Sequence, residues 1–395
     1  MRADALEPAR LSADWLHAPW AQEVTGVLEA AGHCALFVGG CVRNALLGVP
    51  VSDLDLATDA RPEQVCEIAE AAGLKVVPTG IEHGTVTVVD AHHPIEVTTF
   101  RADMETDGRR ARVRYSTDVA EDAARRDFTM NALYCDARGV IVDPLGQGLA
   151  DLRARRLRFV GEAAARVHED YLRILRFFRF HAWYADPAGG IDAEGLAACA
   201  AGASGLDRVS AERIGAEIKK LLAAPDPAQA TAAMAQAGVL AQVLPGASAA
   251  PLPRLVHLEA EAGAAPDPIL RLAALGGQDV DSRLRLSRAE ARRRETLLTG
   301  AVSAAGPGEL AWRHGADAGR AMALLRAALT GADLPDGLEG LLTRGAAARF
   351  PVTAADLMPR YTGSALGARL KALEAAWIAS GFTATREELL DGEAG

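Results

Sequence analysis

Two aspartates separated by one residue, Asp53 and Asp55, stand in the segment SDLDLAT near the start of the chain. Side chains at positions i and i+2 of a β-strand point to the same face, so the segment predicts a strand with two neighbouring carboxylates. Such carboxylates repel each other unless a cation lies between them, and their oxygens suit Mg²⁺. The alternative is an edge strand with two solvated aspartates.

A second element of chemistry precedes this pair. Gly39 and Gly40 follow the apolar run CALFV and open the short helical pattern RNALLG, which carries Arg43 at its start. Glycines let a backbone approach an anion closely, and the free N–H groups at a helix start favour negative charge. A guanidinium one turn later binds phosphate through two hydrogen bonds. Together with the aspartates, this pattern predicts a site for a nucleoside triphosphate and a metal ion.

The elements that must position these residues alternate between helix and strand. A helical pattern ends at Gly32, CALFV and SDLDLAT have the character of short strands, and a further helix begins near Pro62. Three strand-like runs follow: LKVVP, GTVTVVD and IEVTTF. This order predicts an α+β domain with a mixed sheet. From about residue 160 the pattern is helical almost throughout, so we expect domains at 1–155, 156–225 and 226–395, the last two all-helical.

The bulk composition excludes several classes of protein. The chain has 395 residues, half of them apolar, which is enough for more than one hydrophobic core. We find no apolar run long enough to span a membrane and no signal peptide, and the five cysteines form no Cys-x-x-Cys pair. These observations predict a cytoplasmic protein without a membrane partner.

Charge distribution decides the question of a nucleic-acid partner. The formal net charge is −10, yet residues 153–181 contain eight arginines against three acidic residues. A second arginine-rich segment covers 283–295. Local basic surface is what nucleic-acid binding requires, although the second segment is equally consistent with a solvated helix face.

Four segments in order resemble one known family. GGCVRNALLG with SDLDLAT, IEVTTFR at 95–101, RRDFTMNAL at 125–133 and EDYLRILRFFRF at 169–180 are similar to the motifs of class II tRNA nucleotidyltransferases (CCA-adding enzymes) and bacterial poly(A) polymerases. The resemblance covers about 34–182 and weakens beyond 225. It implies an N-terminal nucleotidyltransferase head of the DNA polymerase beta type with a mixed sheet and helices, followed by a helical neck and a helical body that binds tRNA.

The resemblance also assigns roles to residues. It implies that Arg126 contacts the triphosphate, that Asp127 and Asn131 organise the site, and that the last motif selects the nucleotide. In that motif Asp170 and Arg173 are three residues apart on a helix and therefore neighbours. A carboxylate only accepts hydrogen bonds and a guanidinium only donates them. Cytosine and adenine present an amino donor beside a ring-nitrogen acceptor, so the pair matches CTP and ATP and rejects uracil and guanine.

Three further residues carry weaker expectations. Arg176 and Arg179 continue the series of arginines and are placed near the nucleotide by the resemblance, although a spacing of three drifts around a helix and turns Arg179 away from Asp170. These arginines would otherwise serve only to pair with acidic residues such as Glu169. Glu96 is expected on a strand beside the aspartates, as a third carboxylate or as a surface partner of an arginine.

The mechanism implied is in-line attack of an RNA 3′-hydroxyl on the α-phosphate with release of pyrophosphate. Mg²⁺ ions at Asp53 and Asp55 would activate the hydroxyl and neutralise the leaving group. The expected partners are tRNA, CTP and ATP, without a nucleic-acid template and without DNA.

Two rival functions stay open. A poly(A) polymerase of the same family often carries a strongly basic C-terminal extension, whereas this chain ends in the acidic TREELLDGEAG. The segment 102–120 also resembles the loop with which CCA-adding enzymes switch to ATP. A non-catalytic RNA-binding protein with the same fold is the second rival. Its one hint is Asn44, which stands where the family usually has Asp.

Overall fold

The structure is a computed structural model that describes residues 9–78, 80–102 and 114–391. It divides the chain into two compact units, Met1–Val209 and Ser210–Gly395. The division into three domains at 155 and 225 stays a prediction. Most of the loop expected at 102–120 lies outside the described residues.

The first unit contains nine strands and eight α-helices in its described part. The strands are β1 (Ala35–Val38), β2 (Leu54–Thr58), β3 (Lys75–Val77), β4 (Thr85–Asp90), β5 (His93–Thr99), β6 (Arg101–Ala102), β7 (Arg114–Tyr115), β8 (Tyr134–Cys135) and β9 (Ile141–Val142). The helices are α1 (Pro19–Ala30), α2 (Gly40–Leu46), α3 (Pro62–Ala71), α4 (Val119–Ala124), α5 (Gly148–Arg153), α6 (Ala163–Glu169), α7 (Leu172–Tyr184) and α8 (Ala193–Gly202).

Seven of the strands form one sheet in the order β3-β4-β5-β2-β1-β8-β9. The pair β2 and β5 is parallel, and the other neighbours are antiparallel. Buried residues of β1, such as Leu36 and Val38, pack with Ala57 of β2 and Tyr134 of β8 in one apolar cluster. The predicted mixed sheet with helices is therefore confirmed.

Aromatic packing attaches helix α7 to the segment that follows α4. The ring of Phe128 lies 5.0 Å from those of Phe159 and Phe180, and Phe159 stacks on Phe177 at 5.4 Å. All four side chains are buried. Such rings bury large apolar areas, so this cluster fixes α7 against the RRDFTMNAL segment.

The second unit is helical in all its described elements, as predicted. Its helices are α9 (Ala211–Leu222), α10 (Ala228–Gln236), α11 (Val239–Val243), α12 (Leu252–Glu261), α13 (Pro268–Leu275), α14 (Val280–Arg283), α15 (Arg288–Val302), α16 (Pro307–His314), α17 (Ala316–Thr330), α18 (Leu338–Ala347), α19 (Ala354–Leu357), α20 (Gly363–Ala379) and α21 (Arg386–Asp391). In the described part of the chain, no helix combines the length and hydrophobicity that crossing a bilayer requires.

Candidate active site

The Gly39-Gly40 turn lies where β1 passes into α2. Gly39 has φ +71° and ψ −117°, a conformation that residues with a Cβ rarely adopt. Its N–H donates to the carbonyl of Leu133 at 3.2 Å, and a Cβ on Gly39 would stand 3.3 Å from Nη1 of Arg126. The missing side chain therefore lets Arg126 approach the turn, and two residues predicted at the site from distant segments come together.

The carboxylates lie on the two parallel strands. Asp55 is half-buried in β2, and its Cα partner in β5 is Glu96, whose side chain is exposed. The strand begins at Leu54, so the expectation that Asp53 belongs to it is wrong, because Asp53 precedes the sheet and is exposed. Ser52 Oγ donates to Asp53 Oδ2 at 2.8 Å.

Burial and two neighbouring carboxylates both raise the pKa of Asp55. Burial raises the pKa of Asp55 to about 6, with the carboxylates of Glu96 and Asp53 adding to the increase and Arg126 opposing it. These oxygen ligands and their mutual repulsion fit a hard divalent cation. Among the described residues, no three His, Cys, Asp or Glu side chains come together as a metal-binding group. Substrate oxygens or water would have to complete the coordination, as is usual for Mg²⁺.

Arg43, for which the sequence predicts phosphate binding, is buried in the structure. Its side chain is 6% exposed, and burial lowers its pKa. Nη1 donates to Asn131 Oδ1 at 2.5 Å, and Nη2 donates to the hydroxyl of Tyr184 at 2.8 Å. The guanidinium carbon lies 4.0 Å from the centre of the Tyr184 ring. The prediction missed this burial because two of the partners lie 88 and 141 residues away in the sequence.

Arg126 is held by a carboxylate that the sequence analysis missed. Asp122 is 1% exposed, and its Oδ2 accepts from Arg126 Nη2 at 3.0 Å and from the hydroxyl of Tyr134 at 2.7 Å. Its Oδ1 accepts from Arg125 Nε at 2.9 Å and from the backbone N–H of Arg101 at 3.2 Å. Burial would raise the pKa of Asp122, but Arg126 and Arg125 hold it below its ordinary value. The sequence spacing could have predicted these ion pairs, because Asp122 lies three and four residues before the two arginines, and side chains at that spacing are neighbours on a helix.

The residue after Arg126 faces helix α7. Asp127 Oδ1 accepts from Asn131 Nδ2 at 2.9 Å, and its Oδ2 accepts from Nε of Arg176 at 2.7 Å and from Nη2 of the same guanidinium. Burial alone would raise the pKa of Asp127, but Arg176 and Asn131 lower it overall. Asn131 also accepts from Arg43. A continuous set of hydrogen bonds thus links α2, the RRDFTMNAL segment and α7.

Three arginines surround the buried ring of Phe180. The guanidinium carbons of Arg43, Arg176 and Arg179 lie 5.0, 5.1 and 4.4 Å from its centre. The positive charges of Arg179 and Arg176 also lower the pKa of Arg43. The structure therefore places Arg179 beside Arg176, on the same side of α7.

Asp170 and Arg173 are arranged differently from the prediction. Helix α7 begins at Leu172, so Asp170 precedes it, and placing both residues on one helix is wrong. Asp170 Oδ1 accepts from the N–H of Leu172 at 3.0 Å. Arg173 Nη1 donates to Glu169 Oε2 at 2.5 Å, and its Nη2 donates to the carbonyl of Arg125 at 3.0 Å. A helical turn still connects the two, because the N–H of Arg173 donates to the carbonyl of Asp170 at 2.9 Å.

Comparison with known proteins supports the same family. Residues 35–158 match the model of the poly(A) polymerase head domain, and residues 190–250 match a probable RNA- and SrmB-binding site of polymerase A. The mitochondrial CCA tRNA nucleotidyltransferase 1 of Mus musculus is 43% identical over 51% of this chain and 46% of its own length. The CCA-adding enzyme of Streptococcus gordonii is 46% identical over 52% of this chain and 50% of its own length. The chain thus spans about half the length of the curated relatives that it matches.

A solved structure extends the likeness to nearly the whole chain. The CCA-adding enzyme of Bacillus stearothermophilus, solved in complex with CTP, is 31% identical to this chain. The match covers 91% of this chain and 92% of that one, with a TM-score of 0.69. The Thermotoga maritima enzyme, solved with tRNA, shares the fold at 19% identity and a TM-score of 0.69. The protein therefore belongs to the family of class II CCA-adding tRNA nucleotidyltransferases and bacterial poly(A) polymerases.

Proposed function

We propose that the protein adds CCA to the 3′ ends of tRNA from CTP and ATP, without a nucleic-acid template, and releases pyrophosphate. The observation that carries this proposal is the pair of consecutive residues Arg126 and Asp127. Arg126 lies against Gly39, and its charge lowers the pKa of Asp55. Asp127 accepts a hydrogen bond from Arg176 of α7. Two consecutive residues thereby connect the carboxylates, where transfer would occur, with the helix that we expect to select the base.

We assign the binding of the divalent ion to Asp53 and Asp55. When bound, Mg²⁺ supplies activation of the attacking 3′-hydroxyl and neutralisation of charge on the leaving pyrophosphate, through two ions in the mechanism that we favour. Burial raises the pKa of Asp55, and the carboxylates of Glu96 and Asp53 raise it further, so a bound cation would stabilise its charged form. Glu96, beside it on β5, adds to the negative potential that attracts the cation.

We assign the triphosphate to the Gly39-Gly40 turn and Arg126. Asp122 and Tyr134 hold the Nε side of the Arg126 guanidinium, which leaves Nη1 directed at the turn. A guanidinium fixed in this way loses little side-chain entropy when it binds an anion. The burial of Arg43 favours a positioning role for that residue, with its charge contributing to the potential.

We assign base selection to Asp170 and Arg173, with Arg176 and Arg179 nearby on α7. Arg173 uses three of its five N–H donors in contacts with Glu169 and with the carbonyls of Arg125 and Arg166. Its two other N–H groups can donate to the ring nitrogen of cytosine or adenine. The carboxylate of Asp170 can accept from the amino group of the same base. The assignment predicts that C and A are accepted and that U and G are rejected.

The state of the cysteines bears on the cellular compartment of the protein. All five are free thiols, as expected in a reducing compartment. We propose the cytoplasm, although the matched enzyme of Mus musculus is mitochondrial.

A single assay tests the proposal against its rivals. The protein is incubated with Mg²⁺ and a tRNA that ends before CCA, with CTP, ATP or both, and the products are sized. We expect discrete addition of three nucleotides when both are present. Long A tails would favour a poly(A) polymerase, and no extension would refute catalysis.

A matched pair of variants locates the reaction. Asp53→Ala should abolish extension, whereas Asp14→Ala, which alters an exposed carboxylate in the same unit, should leave it unchanged. Retained activity in Asp53→Ala would refute the metal-binding role of Asp53.

A further inference from the structure

Asn44 uses both ends of its amide. Its Oδ1 accepts from Nε and Nη2 of Arg43 at 3.1 and 2.7 Å, and its Nδ2 donates to the carbonyl of Pro50 at 3.0 Å. Its backbone carbonyl also accepts from the N–H of Val49 at 2.9 Å. Asn44 therefore holds the segment that follows α2, residues 47–52, at Val49 and Pro50. It also joins that segment to the buried guanidinium of Arg43.

The side-chain bond to Pro50 requires an amide. The Arg43 guanidinium needs an acceptor and the Pro50 carbonyl needs a donor, which fixes the orientation of the Asn44 amide. An aspartate at this position would keep the acceptor for Arg43. It would also place a carboxylate oxygen against the Pro50 carbonyl, so that two acceptors would face each other. The segment would lose one of its attachments.

The segment held by Asn44 leads directly to Asp53. Pairing of β2 with β5 begins at Leu54, so the sheet fixes the backbone of Asp55 and leaves Asp53 outside its ladder. The position of Asp53 relative to Asp55 therefore depends on how residues 47–52 are anchored. The structure shows the two Asn44 bonds as anchors of that segment.

We propose that Asn44 is a positioning residue, whose amide ties Pro50 to Arg43 and so sets Asp53 beside Asp55 for binding a divalent cation. This inference rests on the proposed function, in which these two aspartates hold the metal ion. It gives the amide nitrogen of Asn44 a role that a carboxylate could not fill.

The test compares Asn44→Asp, Asn44→Ala and the control Gln236→Glu, which makes the same amide-to-carboxylate change at an exposed position of α10. Mn²⁺ is the probe, and its binding to the full chain with CTP but without tRNA is followed by electron paramagnetic resonance of the free ion. We expect both Asn44 variants to bind Mn²⁺ about fivefold more weakly, the effect of losing one ordinary hydrogen bond. The control should bind as the wild type does.

The sign of the effect separates positioning from electrostatics. An added carboxylate near the site would by itself attract a cation, so unchanged or tighter Mn²⁺ binding by Asn44→Asp would overturn the proposal. Asn44→Asp keeps the acceptor for Arg43 and loses only the bond to Pro50, so its melting temperature should stay within about 4 °C of the wild-type value, whereas Asn44→Ala, which loses both bonds, should melt lower still. A large fall in the melting temperature of Asn44→Asp would indicate a merely structural role and would also overturn it.

Asp53→Ala and extension of tRNA by the wild type serve as references for the proposed function. If the wild type extends tRNA and Asp53→Ala loses Mn²⁺, normal binding by Asn44→Asp refutes the positioning role alone. If the wild type shows neither extension nor Asp53-dependent Mn²⁺ binding, the proposed function fails, and the role of Asn44 fails with it.

Discussion

Replacing Asp122 by Asn should destabilise the first unit by about 3 kcal/mol. The carboxylate is 1% exposed and accepts hydrogen bonds from Arg125, Arg126 and Tyr134. Breaking a buried ion pair by removing one charge costs about 3–5 kcal/mol, because the partner is left buried without compensation. The two arginine side chains keep 21% and 20% exposure, so water recovers part of the loss and the lower end of that range applies. For a unit of this size, the change corresponds to a melting temperature lower by roughly 6–12 °C.

The same variant makes a prediction about pH. The pKa of Asp122 is held below its ordinary value in the folded chain, so its stabilisation is present above the unfolded pKa of about 3.9. It is lost as the pH falls through the lower folded pKa. The difference in stability between wild type and Asp122→Asn should therefore be full at pH 7 and should shrink below about pH 4.

Scanning calorimetry of the full chain measures the loss, and hydrogen exchange resolved by peptide mass spectrometry assigns it to Met1–Val209. The control is Asp14→Asn, in which an exposed carboxylate of the same unit is neutralised and a change within about 0.5 kcal/mol is expected. A loss below about 1 kcal/mol for Asp122→Asn would refute the reasoning. A difference that did not vary between pH 7 and pH 3 would refute the assignment of that loss to the carboxylate charge.

Three other changes have defined outcomes. Arg271→Met should lower the unfolding free energy of the second unit by about 3–5 kcal/mol in chemical denaturation, because it strands the buried carboxylate of Glu259, which accepts from Arg271 Nε at 2.8 Å. Gly205→Ala would place a Cβ 2.1 Å from the ring of Tyr171; it should lower the melting temperature of the first unit, and Tyr171→Ala should restore it. Gly39→Ala should raise the KM for CTP at least tenfold in the extension assay, because φ +71° disfavours a side chain and the new Cβ meets a guanidinium nitrogen at 3.3 Å.

Local sequence patterns were sufficient to predict the strands and the glycine turn that hold the site. The β-branched and apolar runs marked β1, β2 and β5, and the glycine pair marked the turn with positive φ. These features depend on residues close in sequence, where spacing and conformational preference act directly. The expectation that Asp170 and Arg173 share one helix was wrong because the backbone is extended at Asp170 and α7 begins at Leu172, and apolar spacing does not reveal such a helix limit.

Contacts between distant segments were beyond such reasoning. An arginine after a glycine turn has the same sequence pattern whether it faces phosphate or is buried. Only the approach of Asn131 and Tyr184 decides that Arg43 is buried. Asp122 was missed although its spacing to Arg125 and Arg126 suggested ion pairs, because a pair on a helix is usually solvated and carries little energy. Asp122 contributes more to stability than such a pair because it is buried and also accepts a hydrogen bond from Tyr134.

Charge balance explains why the site tolerates one buried and several half-buried arginines. Asp122 and Asp127 each neutralise guanidiniums where little water reaches, and each is itself satisfied by several donors. Removing Asp122 would take the carboxylate partner from Arg125 and Arg126, and removing Asp127 would take it from Arg176. These pairs still leave Nη1 of Arg126 directed at the glycine turn, while burial and the carboxylates of Glu96 and Asp53 outweigh the charge of Arg126 and keep the pKa of Asp55 in β2 raised. In the proposed function, a nucleoside triphosphate brings negative charge to Arg126 and its divalent ion brings positive charge to Asp55, so the two together should bind more favourably than either alone.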